Sequence, residues 1–437
     1  MKKNCFILCI FFWFSGYAYS QSWINLGSGL DFHGYVLFSD SVSDNLFIGG
    51  SFSTADGHQS RSITAWNGMI WDTLAGGLPG NVITITRFQN YIYVGGAFIY
   101  LHWSPYSVKV NGFTRWNGVG WDSLTIGFRG APYECLEYNN LLYCTGAFDT
   151  VGTFYSPLAV IWNGNNWMPI GLPQYLSGIT EVGCIYQNEL YIAGTFTDST
   201  GTVSGCAKWN GNTWVDVGGN FGGLIHAAAV YHNELYFGGN YLSGPNSYLV
   251  KYDGTNFSQV GTGFHGNVWG LRVIDDKLFA VGIIDTAGGI PVSNIAMWDG
   301  NTWAAFSSDV FNGAINDVAV FNGELYVTGG FNMINSDTVN YIAKYDGWHL
   351  GEELPAKKMD GIKVYPNPTS SNITIEISTS IAEKKHLSIY NVLGEVVYKS
   401  EITNQKSEIN VSGLGSGIYF VEVRTEKEVT RKKIIKL

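Results

Sequence analysis

Charge is scarce in this chain. Lys, Arg, Asp and Glu make up 14% of its 437 residues, where about 25% is usual. A helical bundle, which draws on Glu and Lys alongside Ala and Leu, is therefore a poor fit. Methionine (6) and proline (11) are few, which excludes a collagen or a proline-rich linker. Polarity is limited too: apolar residues reach 46%, and a disordered chain would combine low hydrophobicity with high net charge. Beyond Gln21 no apolar run approaches the roughly 18 residues of a membrane-spanning helix, so no transmembrane segment is expected in the mature chain. Cysteine is sparse, with four beyond residue 21: Cys135, Cys144, Cys184 and Cys206. No Cys-x-x-Cys spacing suggests zinc, and four is too few for a disulfide framework. Glycine (55) and aromatic residues (15 Trp, 26 Tyr, 25 Phe) are abundant instead. Together they read as many short strands joined by tight turns.

Lys2 and Lys3 precede an apolar run from Cys5 to Phe14, and Ala18-Tyr19-Ser20 offers a small-x-small cleavage site before Gln21. Residues 1–20 are thus expected to be a secretory signal peptide. An exported chain permits disulfides.

A Trp-Asn-Gly-x-x-Trp pattern recurs at Trp66–Trp71, Trp116–Trp121, Trp162–Trp167 and Trp209–Trp214. It continues as Tyr252–Phe257 and Trp298–Trp303, and ends at Tyr345-Asp346-Gly347, with spacings of 50, 46, 47, 43, 46 and 47. Upstream of each lies an aliphatic-aromatic strand ending in glycine, such as Tyr93-Val94-Gly95-Gly96. Before that strand stand two turn residues such as Asn139-Asn140, types that accept the positive φ of a two-residue hairpin. Each unit reads as four antiparallel strands. Seven such units predict an all-β chain with a seven-bladed β-propeller over residues 21–350. The last unit is cut short after Gly347, and Trp23-Ile24-Asn25-Leu26 matches the missing fourth strand. The ring is expected to close by pairing that N-terminal strand into the last blade.

These units resemble kelch-type repeats: a di-glycine ends the second strand, an aromatic ends the third and a Trp opens the fourth. The resemblance implies a fold and no particular activity.

Residues 351–360 form a polar linker, after which the composition changes. From Asp360 to Leu437 there are 11 basic and 9 acidic residues, whereas 12 basic and 26 acidic residues fall between Gln21 and Met359. Strict alternation, as in Ile373-Thr374-Ile375-Glu376-Ile377, predicts a small C-terminal immunoglobulin-like β-sandwich over residues 361–437. Three runs in this tail, Val364-Tyr365-Pro366-Asn367-Pro368, Leu387–Gly394 and Leu414–Val421, are similar to the type IX secretion sorting domain. The terminal Arg431–Leu437 fits as well. The resemblance implies the type IX secretion machinery as a partner. It also implies a protein released, or anchored at the outer cell surface of a Gram-negative cell, after the sorting domain is removed.

The loops between second and third strands vary in length, and function tends to sit on such loops. Within the longest of them stand His102, Trp103 and Tyr106. Trp103 and Trp269 are the two tryptophans beyond the signal peptide with no place in the repeat. Either could stack on a sugar ring or pack within the fold. A glycine opens each first strand, at Gly34, Gly80, Gly130, Gly178, Gly223, Gly266 and Gly313. Near these glycines His33, Arg129, Glu181, His226, His265, Asn316 and Asp317 should rim the central funnel. They form a structural polar rim, or a set able to do acid-base work. Their spacing repeats no metal-ligand pattern, and no metal or other cofactor is expected. Gly-x-Ser-x-Gly, His-Glu-x-x-His, Walker and Rossmann patterns do not occur.

The acidic balance argues against nucleic acid as a partner. The expected function is a secreted or cell-surface binding protein for a glycan or protein ligand, without catalysis of its own. The alternative is a secreted carbohydrate-active enzyme working in the funnel. A further expectation follows from the Asn139-Asn140 turn. Counting outward, Cys135 faces Cys144 at a non-hydrogen-bonded pair, where Cα atoms stand roughly 4.5 Å apart, close enough for a disulfide.

Overall fold

The computed structural model describes residues 22–102, 107–124, 127–170, 177–199, 201–219, 221, 223–240, 248–346, 362–377, 385–391, 396–402, 404, 406–424 and 429–437. The expected signal peptide and linker lie outside the described residues. The chain divides into two compact units, Met1–Leu350 and Gly351–Leu437, and the described elements are β-strands with one short 3-10 turn at Leu74–Gly76.

Seven antiparallel sheets make up the first unit, together with two small hairpins, and none of the seven closes on itself. We number them by their first strands. These are Gly34–Asp40, Gly80–Phe88, Phe128–Tyr138 and Ser177–Tyr186 for sheets 1 to 4. Sheets 5 to 7 open with Ile225–Tyr231, Phe264–Ile274 and Ile315–Phe321.

Local chemistry sets the turns. Asn139 and Asn140 take φ of 51° and 59°, and Asp275 and Asp276 take 48° and 53°. A two-residue hairpin of this type needs positive φ at both positions. Between third and fourth strands, Asn67 Oδ1 accepts the N–H groups of Met69 and Ile70, both at 2.9 Å. Asn117, Asn163 and Asn210 do the same in sheets 2 to 4, and Asp253 and Asp299 in sheets 5 and 6. The rings that flank this turn meet across the strands, with centroids 5.3 Å apart for Trp66–Trp71 and 5.0 Å for Trp162–Trp167. Such a pair adds about 0.5–1.5 kcal/mol beyond its buried area. In sheet 7 the same pair is assembled from the two ends of the unit. The N-terminal strand Ser22–Asn25 lies against Ile342–Asp346, with Trp23 opposite Tyr345 and their centroids 5.0 Å apart.

Successive first strands lie side by side, and that of sheet 7 lies beside that of sheet 1. Side chains tie neighbours together: Thr84 Oγ1 accepts the Cys135 N–H at 3.1 Å, and Asp317 Oδ2 accepts the Leu37 N–H at 3.0 Å. Small residues on the second strand let the next sheet approach. A Cβ at Gly49 would lie 2.6 Å from Val82 Cγ1, and one at Gly238 would lie 2.4 Å from Val268 Cγ1. Between sheets 7 and 1 the sizes are exchanged: Thr328 takes the small position and faces Gly34.

The second unit holds a three-stranded and a four-stranded antiparallel sheet. They share a core that includes Ile373, Ile375, Leu387, Ile389, Val421 and Val423, the inward positions of the alternating pattern.

One expectation is corrected. Cys135 and Cys144 stand opposite each other as counted, yet both are free, buried thiols, as is Cys206, and Cys184 is free and half-buried. The Cys135–Cys144 pair fills an apolar core with Leu142, Phe148 and Val160, so each thiol serves as a small hydrophobe. Burial and the Cys144 sulfur push the Cys135 thiol well above its ordinary pKa.

Candidate functional site

Each first strand carries one residue more than its partner at the same place. The register shifts between Gly34 and Val36, Val82 and Thr84, Pro132 and Glu134, and Thr180 and Val182. It shifts likewise between Ile225 and Ala227, Val268 and Gly270, and Ile315 and Asp317. The residues left unpaired are Tyr35, Ile83, Tyr133, Glu181, His226, Trp269 and Asn316. A bulge bends its strand and re-aims a side chain. Here all seven bulge residues line one cavity of about 1210 Å³ bounded by first strands of all seven sheets.

The ionisable groups of this wall are unusual. Glu134 follows the Tyr133 bulge, and burial pushes its carboxyl up to about 7, with Arg272 opposing and Asp317 adding to the shift. Glu181 is pushed up to about 7 by burial, against the Ile225 N–H that its Oε2 accepts at 2.5 Å. Burial lowers the pKa of His226, so its ring is neutral at pH 7. That ring stands edge-on to Trp269 with centroids 6.4 Å apart. Arg272 donates to Asp317 at 2.9 Å and keeps 45% of its side-chain surface open to the cavity. Asp317 is 3% exposed and also accepts the Leu37 and Val318 N–H groups. Its carboxyl is raised by burial despite these partners. Asp317 therefore ties sheets 6, 7 and 1 together.

Of the residues singled out from sequence, Glu181, His226, Trp269, Asn316 and Asp317 line the cavity. His33, Arg129 and His265 do not. Arg129 pairs with Asp149 at 2.5 Å and His265 with Asp285 at 2.8 Å, each across the outer end of its hairpin. His33 stacks on the exposed Phe32 with centroids 4.2 Å apart. These three stand at different heights from the bulges. The pairing of Gly34 with Gly50 matches that of Val82 with Gly96, so Phe32, not Gly34, is the counterpart of Gly80. His102 is exposed, with its N–H donating to Ser107 Oγ at 2.7 Å. Trp103 and Tyr106 lie outside the described residues. Tyr35, Ile83, Tyr133, Glu134 and Arg272 were not anticipated. Once the register is known the bulges fall at a constant offset, the third residue after the opening glycine in sheets 2 to 7.

Chemically, the ring offers flat apolar faces with a carboxyl, an imidazole and an amide between them. That combination orients a ligand having both apolar faces and polar edges. The near-neutral carboxyls can also give or take a proton.

Residues 363–437 match the family described as the secretion system C-terminal sorting domain. A stretch of 93 residues is 30% identical to the ulvan lyase NLR42 of Nonlabens ulvanivorans, covering 20% of this chain and 17% of that protein. Among solved structures, this chain is similar to PorZ, a bacterial surface component of the type IX secretion system of Porphyromonas gingivalis, at 14% identity and a TM-score of 0.41, covering 92% of this chain. The extracellular domain of the putative one-component system BT4673 of B. thetaiotaomicron is similar at 9% identity and 0.49, covering 95% of this chain. This chain spans 59% of each of those two structures. A fungal alcohol oxidase of the AA5 family, in complex with copper, is similar at 10% identity and 0.43, over 95% of this chain and 99% of its own. The sorting domain marks this protein for export by the type IX secretion system, so it is secreted or attached at the cell surface.

Proposed function

We propose that residues 21–350 form a seven-bladed, kelch-like β-propeller that binds a carbohydrate in its central cavity outside the cell. The propeller reading rests on seven sheets with adjacent first strands and on the strand Ser22–Asn25 joined to sheet 7. Residues 1–20 are the signal peptide and 351–360 the linker in this reading. The observation that carries the binding site is the ring of bulge residues, in which Tyr35, Ile83, Tyr133 and Trp269 share one cavity wall with the polar Glu181, His226 and Asn316. Sugars present apolar ring faces and hydroxyl edges, and such a wall meets both.

The test is a glycan array probed with the mature full-length chain, followed by calorimetric titration of any hit. Trp269→Ala should weaken binding about tenfold, the scale of one lost stacking contact. An array with no hit, or a Trp269→Ala variant that binds as the parent does, sinks the proposal. A second reading, a carbohydrate-active enzyme, is favoured by Glu134 and Glu181, whose carboxyls titrate at about 7, where a general acid or base is effective. Incubating each hit with the protein separates the two readings. Turnover lost in Glu181→Gln while binding persists would establish the enzyme.

A further inference from the structure

The cavity wall is acidic beyond what its own bases can balance. Glu134, Glu137, Glu181, Asp275 and Asp317 line it, against two basic side chains, Arg87 and Arg272. Both bases are already held: Arg87 Nε donates to Asp40 Oδ1 at 2.6 Å, and Arg272 donates to Asp317 at 2.9 Å. Among the described residues no lysine lines the cavity. Among the described residues no hydrogen bond holds the Glu134 carboxyl, and that of Glu181 accepts a single backbone N–H.

The acid is also lopsided. Around the bulge level, sheets 3 to 6 present Tyr133 with Glu134 beside it, then Glu181, His226 and Trp269. Sheet 7 presents Asn316 with Asp317 beside it, the latter already paired with Arg272, and sheets 1 and 2 present the neutral Tyr35 and Ile83. In ring order Glu181 thus stands between Tyr133 of sheet 3 and His226 of sheet 5, whose ring meets that of Trp269. Carboxylates flanked by aromatic faces are the arrangement that holds an organic ammonium, through charge and through attraction to the ring faces. Arg272 acts on Glu134 from a distance, whereas the Glu181 carboxyl has only the Ile225 N–H, and a half-buried carboxyl of that kind gains most from a ligand that supplies a cation.

We propose that the ligand carries a protonated amine, as an amino sugar does, and that its ammonium sits against Glu181 on the side of sheets 3 to 6. This rests on the carbohydrate-binding reading and names the class of sugar. Arg272, paired to Asp317 and partly open to the cavity, is left to meet a hydroxyl or other acceptor on the same ligand.

The experiment compares two probes with the same sugar backbone: chitosan oligosaccharide, which carries ammonium groups, and its fully N-acetylated counterpart, which carries neutral acetamido groups in their place. Each is titrated calorimetrically into the mature full-length chain at about pH 7, where part of the amines and part of the Glu181 carboxyl are charged and the bound ammonium draws that carboxyl into its charged form. The deacetylated oligomer should bind about tenfold tighter, within the range for a desolvated cation beside aromatic rings. Glu181→Gln, and separately Glu134→Gln with an unchanged near-ultraviolet circular dichroism spectrum, should remove that preference and leave the weaker binding of the acetylated oligomer in place. Equal binding, or tighter binding of the acetylated oligomer, overturns the ammonium assignment while the carbohydrate site stands. Binding of neither overturns it as well, and with an empty glycan array the proposed function falls too.

Discussion

Replacing Gly34 with valine puts a branched side chain at the one junction where the sizes of facing residues are exchanged. Valine is what sheets 2 and 6 carry at this position, as Val82 and Val268, where each faces a glycine. At Gly34 a Cβ would stand 1.9 Å from Thr328 Oγ1 and 3.0 Å from Thr328 Cβ. The threonine cannot simply swing away, because Oγ1 donates to the Tyr341 carbonyl at 2.8 Å. Overpacking of this kind costs about 1–3 kcal/mol, and the lost hydrogen bond adds about 1 kcal/mol. Gly34→Val should therefore destabilise by about 2–4 kcal/mol.

Thr328→Gly alone loses the hydrogen bond and leaves a small void, at a cost of about 1–2 kcal/mol. Combining the two rebuilds the Gly49–Val82 arrangement at the junction of sheets 7 and 1. The double variant should then be more stable than Gly34→Val alone, with a coupling of about 1.5 kcal/mol or more. Thermal midpoints read this out at about 2 °C per kcal/mol in a unit of this size. Additive losses, or a Gly34→Val variant that melts with the parent, would refute the account of how sheet 7 meets sheet 1.

Thiol counting on the denatured, unreduced mature protein should find four free thiols, and a count of two would restore the Cys135–Cys144 bridge. Stability should also fall as pH rises through the range in which Glu134 titrates. An acid whose folded pKa of about 7 exceeds its ordinary value of 4.5 binds more protons folded than unfolded. Its contribution is full below that lower value and is lost as pH climbs to about 7, a change on the order of 2–3 kcal/mol. Glu134→Gln should raise the thermal midpoint at pH 8 and leave it near the parent's at pH 5. Melting curves that stay parallel across that range would show that the carboxyl is not desolvated.

The strands and turns were legible because their signals are local. An Asn or Asp that caps its own turn, and two rings that meet across it, are visible within six residues of sequence. The N-terminal strand could be assigned to sheet 7 for the same reason, since Trp23 fills the gap left beside Tyr345. The bulges were not legible. A bulge is a count of two residues against one on the partner strand, and neither strand shows it alone. The opening glycines pointed three residues short of it, and the count failed in sheet 1, where Phe32 replaces the glycine and Gly34 lies two residues further on. His33, Arg129 and His265 were grouped with Glu181 and His226 through that misalignment. Arg272 and Asp317 come from different sheets, and their pairing depends on how first strands pack. The cysteine register could be counted from the Asn139-Asn140 turn, whereas the state of the sulfurs could not.

The bulge ring also separates what the sheets need from what a ligand needs. Positions that join sheets recur, because each junction solves the same packing problem: glycine at 49, 95 and 238, and a turn-capping Asn or Asp in six sheets. The bulge positions do not recur in that way. Going around the ring from sheet 1 they are Tyr, Ile, Tyr, Glu, His, Trp and Asn. A cavity with a purely structural role could be filled by seven similar apolar side chains, which would avoid the cost of burying Glu134, Glu181 and His226. A ligand has no sevenfold symmetry, so a wall that recognises one must break the repeat. It breaks here at the residues that the bulges turn into the cavity.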